Sequence, residues 1–195
     1  MAENPTILAI ESAIRGGSLA LAVSGEIIDT WLGEGGVSRA EDLLWNIDLM
    51  LKRNNIAKQT LTQIVVSIGP GSFTGIRIGL ATAMGLATAL NIDLARYSIL
   101  CAMAASSQDG DSLRTAVPVG RGVFCKQTFR KNSAEIAELT EPTAVTDELF
   151  ELDRKDIITN ETFADGLAVC LIDAANDPRA SRATEPLFIA KPANI

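Results

Sequence analysis

The sequence predicts an α/β protein of two lobes, and three observations carry that expectation. Three short apolar runs separated by glycine-bearing turns open the chain. Residues 65–90 then read as a buried strand, a glycine-rich turn and a helix of small residues. After residue 97 the hydrophobic periodicity weakens, which puts a boundary near 97–110: an N-lobe over 1–98 and a smaller C-lobe over 99–195. A chain of 195 residues has ample length to bury a core in such an arrangement.

The elements follow in order. Thr6–Ser12, Ser18–Val23 and Glu26–Leu32 are strands, and the links Arg15-Gly16-Gly17 and Ser24-Gly25 make them an antiparallel meander. Ser38-Arg39-Ala40-Glu41 has the pattern of a capping box, and the helix it starts runs to about Asn54. Leu43, Leu44, Ile47, Met50 and Leu51 form its core face at three-and-four spacing, while Trp45 and Leu49 fall among Asp42, Asn46 and Arg53 on the other side. That apolar pair is either a contact site or scattered exposed surface.

Ile64–Ile68 is a strand, and a helix runs from about Thr74 to Leu90 with Arg77 as its one charge. It has no polar face, so cover on more than one side is expected. Gly75, Gly79, Ala83 and Ala87 make one small-residue stripe along it; Ala81, Gly85 and Ala89 make another. Small residues let a second backbone approach closely. One stripe suffices for packing on the chain's own sheet, and the second is surplus. Beyond residue 97 the expected elements are a short helix at Ser98–Ser107, a turn at Gln108–Asp111, and strands at Arg114–Val119 and Val123–Arg130. A short helix at Thr146–Leu152, a strand at Ile157–Ile158 and a helix at Ala164–Ala175 complete the expectation.

Composition narrows the function. The net charge of −7 opposes phosphate-backbone binding by the chain as a whole, and no basic run is present. Cys101, Cys125 and Cys170 are widely spaced and in no CxxC pair, as expected of free thiols in a reducing cytosol. Met1-Ala2-Glu3-Asn4-Pro5 lacks the pattern of a signal peptide, and the apolar run 78–92 is short and rich in Ala, Gly and Thr for a membrane span. A cytoplasmic location is the expectation. There is no histidine, so a Ser-His-Asp triad, a Cys-His pair and most zinc or non-haem iron sites are excluded.

Gly69-Pro70-Gly71-Ser72-Phe73-Thr74-Gly75 has the look of a phosphate loop. No Lys-Ser/Thr follows its last glycine, so it is not a Walker A loop, and the glycine spacing fails the dinucleotide fingerprint. Gly69, Pro70, Gly71 and Gly75 are therefore read as a tight structural turn, with anion binding at the helix start as the alternative. Glu11 closes the first strand, where a carboxylate could face a metal or phosphate; an acid facing water is the favoured reading.

Ile7-Leu8-Ala9-Ile10-Glu11-Ser12 and the long motif Gly69-Pro-Gly-Ser-Phe-Thr-Gly-Ile-Arg-Ile-Gly79 closely resemble the bacterial TsaB (YeaZ) family. Supporting pieces are Ser38–Leu44, Gly120-Arg121-Gly122-Val123-Phe124 and Pro186-Leu-Phe-Ile189; the likeness is strong over 6–98 and patchy beyond. The chain departs from the family pattern in having Glu11 for Asp, Arg39-Ala40-Glu41 for His-Ser-Glu and Val119-Gly120-Arg121 for Asp-Ala-Arg. The second lobe is also short for the family.

The resemblance implies a reduced actin, sugar kinase and Hsp70-like (ribonuclease H-like) fold with mixed sheets. It implies a non-catalytic subunit, without a cofactor of its own, that pairs with the transferase TsaD, which carries the metal-binding histidines and the nucleotide site. With the ATPase TsaE, the two place a threonylcarbamoyl group on the adenosine beside the tRNA anticodon. The family pairs through its two N-lobe helices, which makes Glu41, Trp45, Leu49, Ile78, Ala81, Gly85 and Ala89 the candidate partner-binding residues. Homodimers are expected in isolation, with tRNA reached only through the complex. The principal alternative is a nucleotide-dependent phosphotransferase or ATPase of the same superfamily. A metalloprotease is opposed by the missing histidine, and direct tRNA binding by the net charge.

Overall fold

The structure, a computed structural model, describes residues 5–33, 40–183 and 185–187. Its first sheet has the order β3-β2-β1-β4-β5. Strands β1 (Thr6–Glu11), β2 (Ser18–Val23) and β3 (Glu26–Leu32) form the expected antiparallel meander. Parallel to β1 lie β4 (Gln63–Ser67) and then β5 (Asp93–Tyr97). This is the ribonuclease H-like arrangement. Alternation along β1 assigns its two faces: Leu8 and Ile10 join one buried cluster, Ile7 and Ala9 the other.

Helices α1 (Ala40–Arg53) and α2 (Phe73–Leu90) cover the Leu8/Ile10 face. The capping box at Ser38 lies outside the described residues. In α1, Leu43, Ile47, Met50 and Leu51 are buried as expected, but Leu44 is exposed. It sits about 100° round the helix from Leu43, at the edge of the buried arc, and so joins the outer side beside Trp45. In α2, Gly75, Ile76, Gly79, Ala83 and Ala87 are buried. Asn91, in the left-handed conformation, ends the helix and donates its amide to the Ala87 and Thr88 carbonyls. At 18 residues α2 is longer than the run read from sequence, and by length and composition it is apolar enough to cross a membrane. Its buried stripe is laid on the first sheet, and the remainder of the helix is largely exposed.

The opposite face packs on α3 (Ile99–Ala105), buried along its whole length, and on α5 (Ala168–Asn176). Beyond these two helices lies a second sheet of order β10-β6-β7-β8, with β9 also paired to β7. Its long hairpin joins β6 (Gly110–Gly120) to β7 (Val123–Lys131) through Arg121 at φ 57°. Around it are β8 (Ile136–Glu138), β9 (Thr143–Thr146), the helix α4 (Asp147–Leu152) and β10 (Ile157–Thr159). From one side to the other, the layers are α1/α2, first sheet, α3/α5 and second sheet.

Three details differ from expectation. The turn assigned to 108–111 is shorter, because β6 already begins at Gly110. Helix α5 starts at Ala168 rather than Ala164, because Gly166 takes φ 87° and the Ala168 amide is held by Ser18 Oγ at 2.9 Å. Strands β5, β8 and β9 have no counterpart among the elements expected from sequence.

Candidate functional site

Two regions hold the residues singled out from sequence: the turn between β4 and α2, and the outer side of α1 and α2. The turn is built against the end of β1. Gly69 has φ 94° and a cis bond to Pro70, and a Cβ on it would come 2.7 Å from Ile76 Cδ1 and 2.9 Å from the Leu187 carbonyl oxygen. A Cβ on Gly71 would meet the Ala13 carbonyl oxygen at 2.5 Å, and one on Gly75 the Ser12 carbonyl oxygen at 2.0 Å. The Ser72 amide donates to Ala13 O at 2.7 Å, Ser12 Oγ donates to Gly75 O at 2.8 Å, and Ser72 Oγ accepts from the Gly75 amide at 3.3 Å. These glycines make room for the chain's own backbone, and two amides at the start of α2 are already engaged.

Glu11 does not face water. It is buried on the α5 side of the sheet and accepts the amides of Ala13 at 2.6 Å and Ile14 at 3.0 Å. Burial pushes its carboxyl up to about 7, against the lowering effect of those two hydrogen bonds. The reason for the difference from expectation is local. The chain turns immediately after Glu11, and the carboxylate satisfies amides of that turn which would otherwise be buried without partners.

A cavity of about 430 Å³ lies between this turn, the start of α2 and the end of β6, lined by Ser12–Gly16, Ser72, Thr74, Gly75 and Pro118–Gly120. Arg15 is its one charged residue among those described, and no carboxylate lines it. Glu11 borders a separate and smaller space of about 140 Å³ with Ser18 and Asn160. The acid that a metal–nucleotide site would need at the end of β1 is thus committed to its own turn. Among the described residues no cluster of three metal-ligating side chains occurs.

The outer side of α1 and α2 carries exposed apolar residues, on α1 interspersed with Asp42, Asp48, Lys52 and Arg53. Trp45 is 63% exposed, and Leu44, Leu49, Phe73 and Met84 are exposed with it. The stripe Ala81, Gly85, Ala89 is exposed, Ile78 is half-buried, and the space within 4 Å of a Cβ on Gly85 is empty. Glu41 lies in the first turn of α1. Sequence reasoning missed Leu44, Phe73 and Met84. Met84 follows Ala81 by three residues and so shares its arc, a signal that could have found it. Phe73 was absorbed into the glycine turn, although it opens the helix.

A family profile described as TsaD, tRNA N6-adenosine threonylcarbamoyltransferase, matches residues 38–122, which include both helices. The protein named tRNA threonylcarbamoyladenosine biosynthesis protein TsaB from Bacillus subtilis is 32% identical over 108 residues, 55% of this chain and 47% of that protein. Its namesake from Haemophilus influenzae is 32% identical over 103 residues, 52% of this chain and 43% of that protein. The chain spans about half the length of the curated relatives it matches. Among solved structures, YeaZ from Pseudomonas aeruginosa superposes with a TM-score of 0.61 at 22% identity, covering 74% of this chain and 68% of that one, and so shares its fold.

Proposed function

We propose that this chain is a member of the TsaB/YeaZ family, a reading supported by its likeness to the TsaB proteins and to the YeaZ fold, and that it serves in threonylcarbamoyladenosine synthesis on tRNA as a non-catalytic subunit docking a TsaD-type transferase. The observation that carries this reading is the exposed apolar surface of the outer layer. Trp45 and Leu49 on α1 and Met84 on α2 stand exposed, and on α2 the stripe of Ala81, Gly85 and Ala89 is exposed with its centre open. Exposed apolar surface of this kind is stabilised by burial against a partner, and small residues at its centre allow a partner helix to approach closely. The TsaD profile spans both helices, so chain and transferase have related units here, able to pair by apposing like faces.

Catalysis belongs to the partner in this account. The chain has no histidine to act as base or metal ligand, and Glu11 is held by its own turn. Those two facts disfavour the phosphotransferase and peptidase readings. In the cell the subunit acts in the cytoplasm, with a TsaE-type ATPase joining a larger complex and tRNA bound by the assembly. Isolated, it self-pairs through the same face. The test is co-expression of the tagged chain with its cognate transferase. The wild type retains the transferase on the column and Gly85→Leu, whose side chain enters open space in the monomer, does not; retention by the folded variant would overturn the assignment of the face.

A further inference from the structure

We infer that the element docked on this face carries an Asp or Glu side chain placed against Arg77, so that Arg77 sets the orientation of the complex; this rests on the docking reading above. Arg77 is the one charged residue in α2. It is exposed, and its guanidinium carbon lies 5.4 Å from the centre of the Phe73 ring. Among the described residues no carboxylate lies within ion-pair distance of it.

Arg77 lies in the same outer arc as Ala81 and Gly85, with a shallow pocket of about 380 Å³ beside it lined by Thr74, Arg77, Ile78, Ala81 and Thr82. Docking that fills this pocket removes water from the guanidinium. A desolvated cation left unpaired is strongly unfavourable, and contact with Phe73 supplies only a fraction of the lost hydration. The planar fork of Arg matches a carboxylate with two parallel hydrogen bonds, which also fixes the angle of approach. The proposed occupant is therefore an apolar helix with small or aliphatic residues against Ala81 and Gly85, and an acid about one turn away. A phosphate would satisfy the same fork, but the net charge of −7 repels a nucleic-acid backbone.

The experiment titrates the full chain with purified cognate transferase, without tRNA, by calorimetry at low and moderate salt. Arg77→Glu is expected to weaken binding at least about 30-fold. Arg77→Lys retains part of the affinity, and one charge reversal among the acids of the transferase's docking helix restores Arg77→Glu. An unchanged melting temperature certifies the variant's fold. Undiminished binding by Arg77→Glu, where Gly85→Leu abolishes it, overturns the pairing and leaves the docking face standing. A wild type that does not bind the transferase overturns the docking reading itself. An effect of Arg77→Glu seen only when tRNA is present assigns Arg77 to phosphate and overturns the carboxylate.

Discussion

Substituting the glycines of α2 one at a time separates the face that holds the fold from the face left for a partner. Alanine at Gly85 meets nothing within 4 Å, so only helix propensity changes, and the chain is stabilised by about 1 kcal/mol. At Gly79 the added Cβ would lie 2.2 Å from Ser12 Oγ, with Ser12 Cβ at 3.5 Å. Relief requires the hydroxyl to leave its 2.8 Å bond to the Gly75 carbonyl. Losing a buried hydrogen bond costs about 1–3 kcal/mol, which offsets the propensity gain and leaves a net loss of about 1 kcal/mol.

At Gly75 the obstacle is backbone: Ser12 O at 2.0 Å, Ser12 C at 3.0 Å and Ala13 Cα at 3.2 Å. The first turn of α2 and the end of β1 must separate, an overpacking cost of about 3 kcal/mol or more. Urea denaturation followed by circular dichroism gives the order Gly85→Ala, wild type, Gly79→Ala, Gly75→Ala from most to least stable. In a Ser12→Ala background the Gly79→Ala penalty disappears, since the contact is with Oγ. Wild-type stability for Gly75→Ala, or a loss for Gly85→Ala, would refute the seating of α2 on the β1 turn.

Two further predictions concern Glu11 and Trp45. The folded-state pKa of Glu11, about 7 against an ordinary 4.5, makes its contribution to stability fully present below about 4.5 and lost as the pH rises to about 7. The difference is on the order of 3 kcal/mol. Melting temperatures at pH 5 and 8 should therefore diverge less in Glu11→Gln than in the wild type, and an unchanged divergence contradicts the assignment. Trp45 and Trp31 are the two tryptophans, so Trp31→Phe leaves Trp45 as the sole reporter of the docking face. Its emission should shift to shorter wavelength when the transferase saturates the chain; a static spectrum at saturation would place Trp45 outside the interface.

Four of the five strands of the first sheet, all but β5, were legible because their links carry their own turn chemistry. Gly16, Gly17, Gly25 and Gly69 all adopt positive φ, and alternating burial does the rest. The split of α2 into a buried and an exposed stripe was legible from helical spacing alone. The fate of Glu11 was not, since a strand-end acid has the same local pattern whether it faces solvent or accepts amides from the turn that follows. The second sheet was harder to read for a related reason. Strands β8 and β9 have three and four residues, and their positions follow from pairing with β7 rather than from any pattern of their own. Leu44 lies on the border of the α1 arc, where periodicity does not decide between core and surface.

Threonylcarbamoyl transfer to tRNA by the purified transferase, with its ATPase and substrates supplied, tests the central claim most directly when measured with and without this chain. Modification should depend on adding the wild-type chain, and Gly85→Leu should fail to support it although it is as stable as the wild type. A transferase fully active alone, or equally active with Gly85→Leu, would contradict the account.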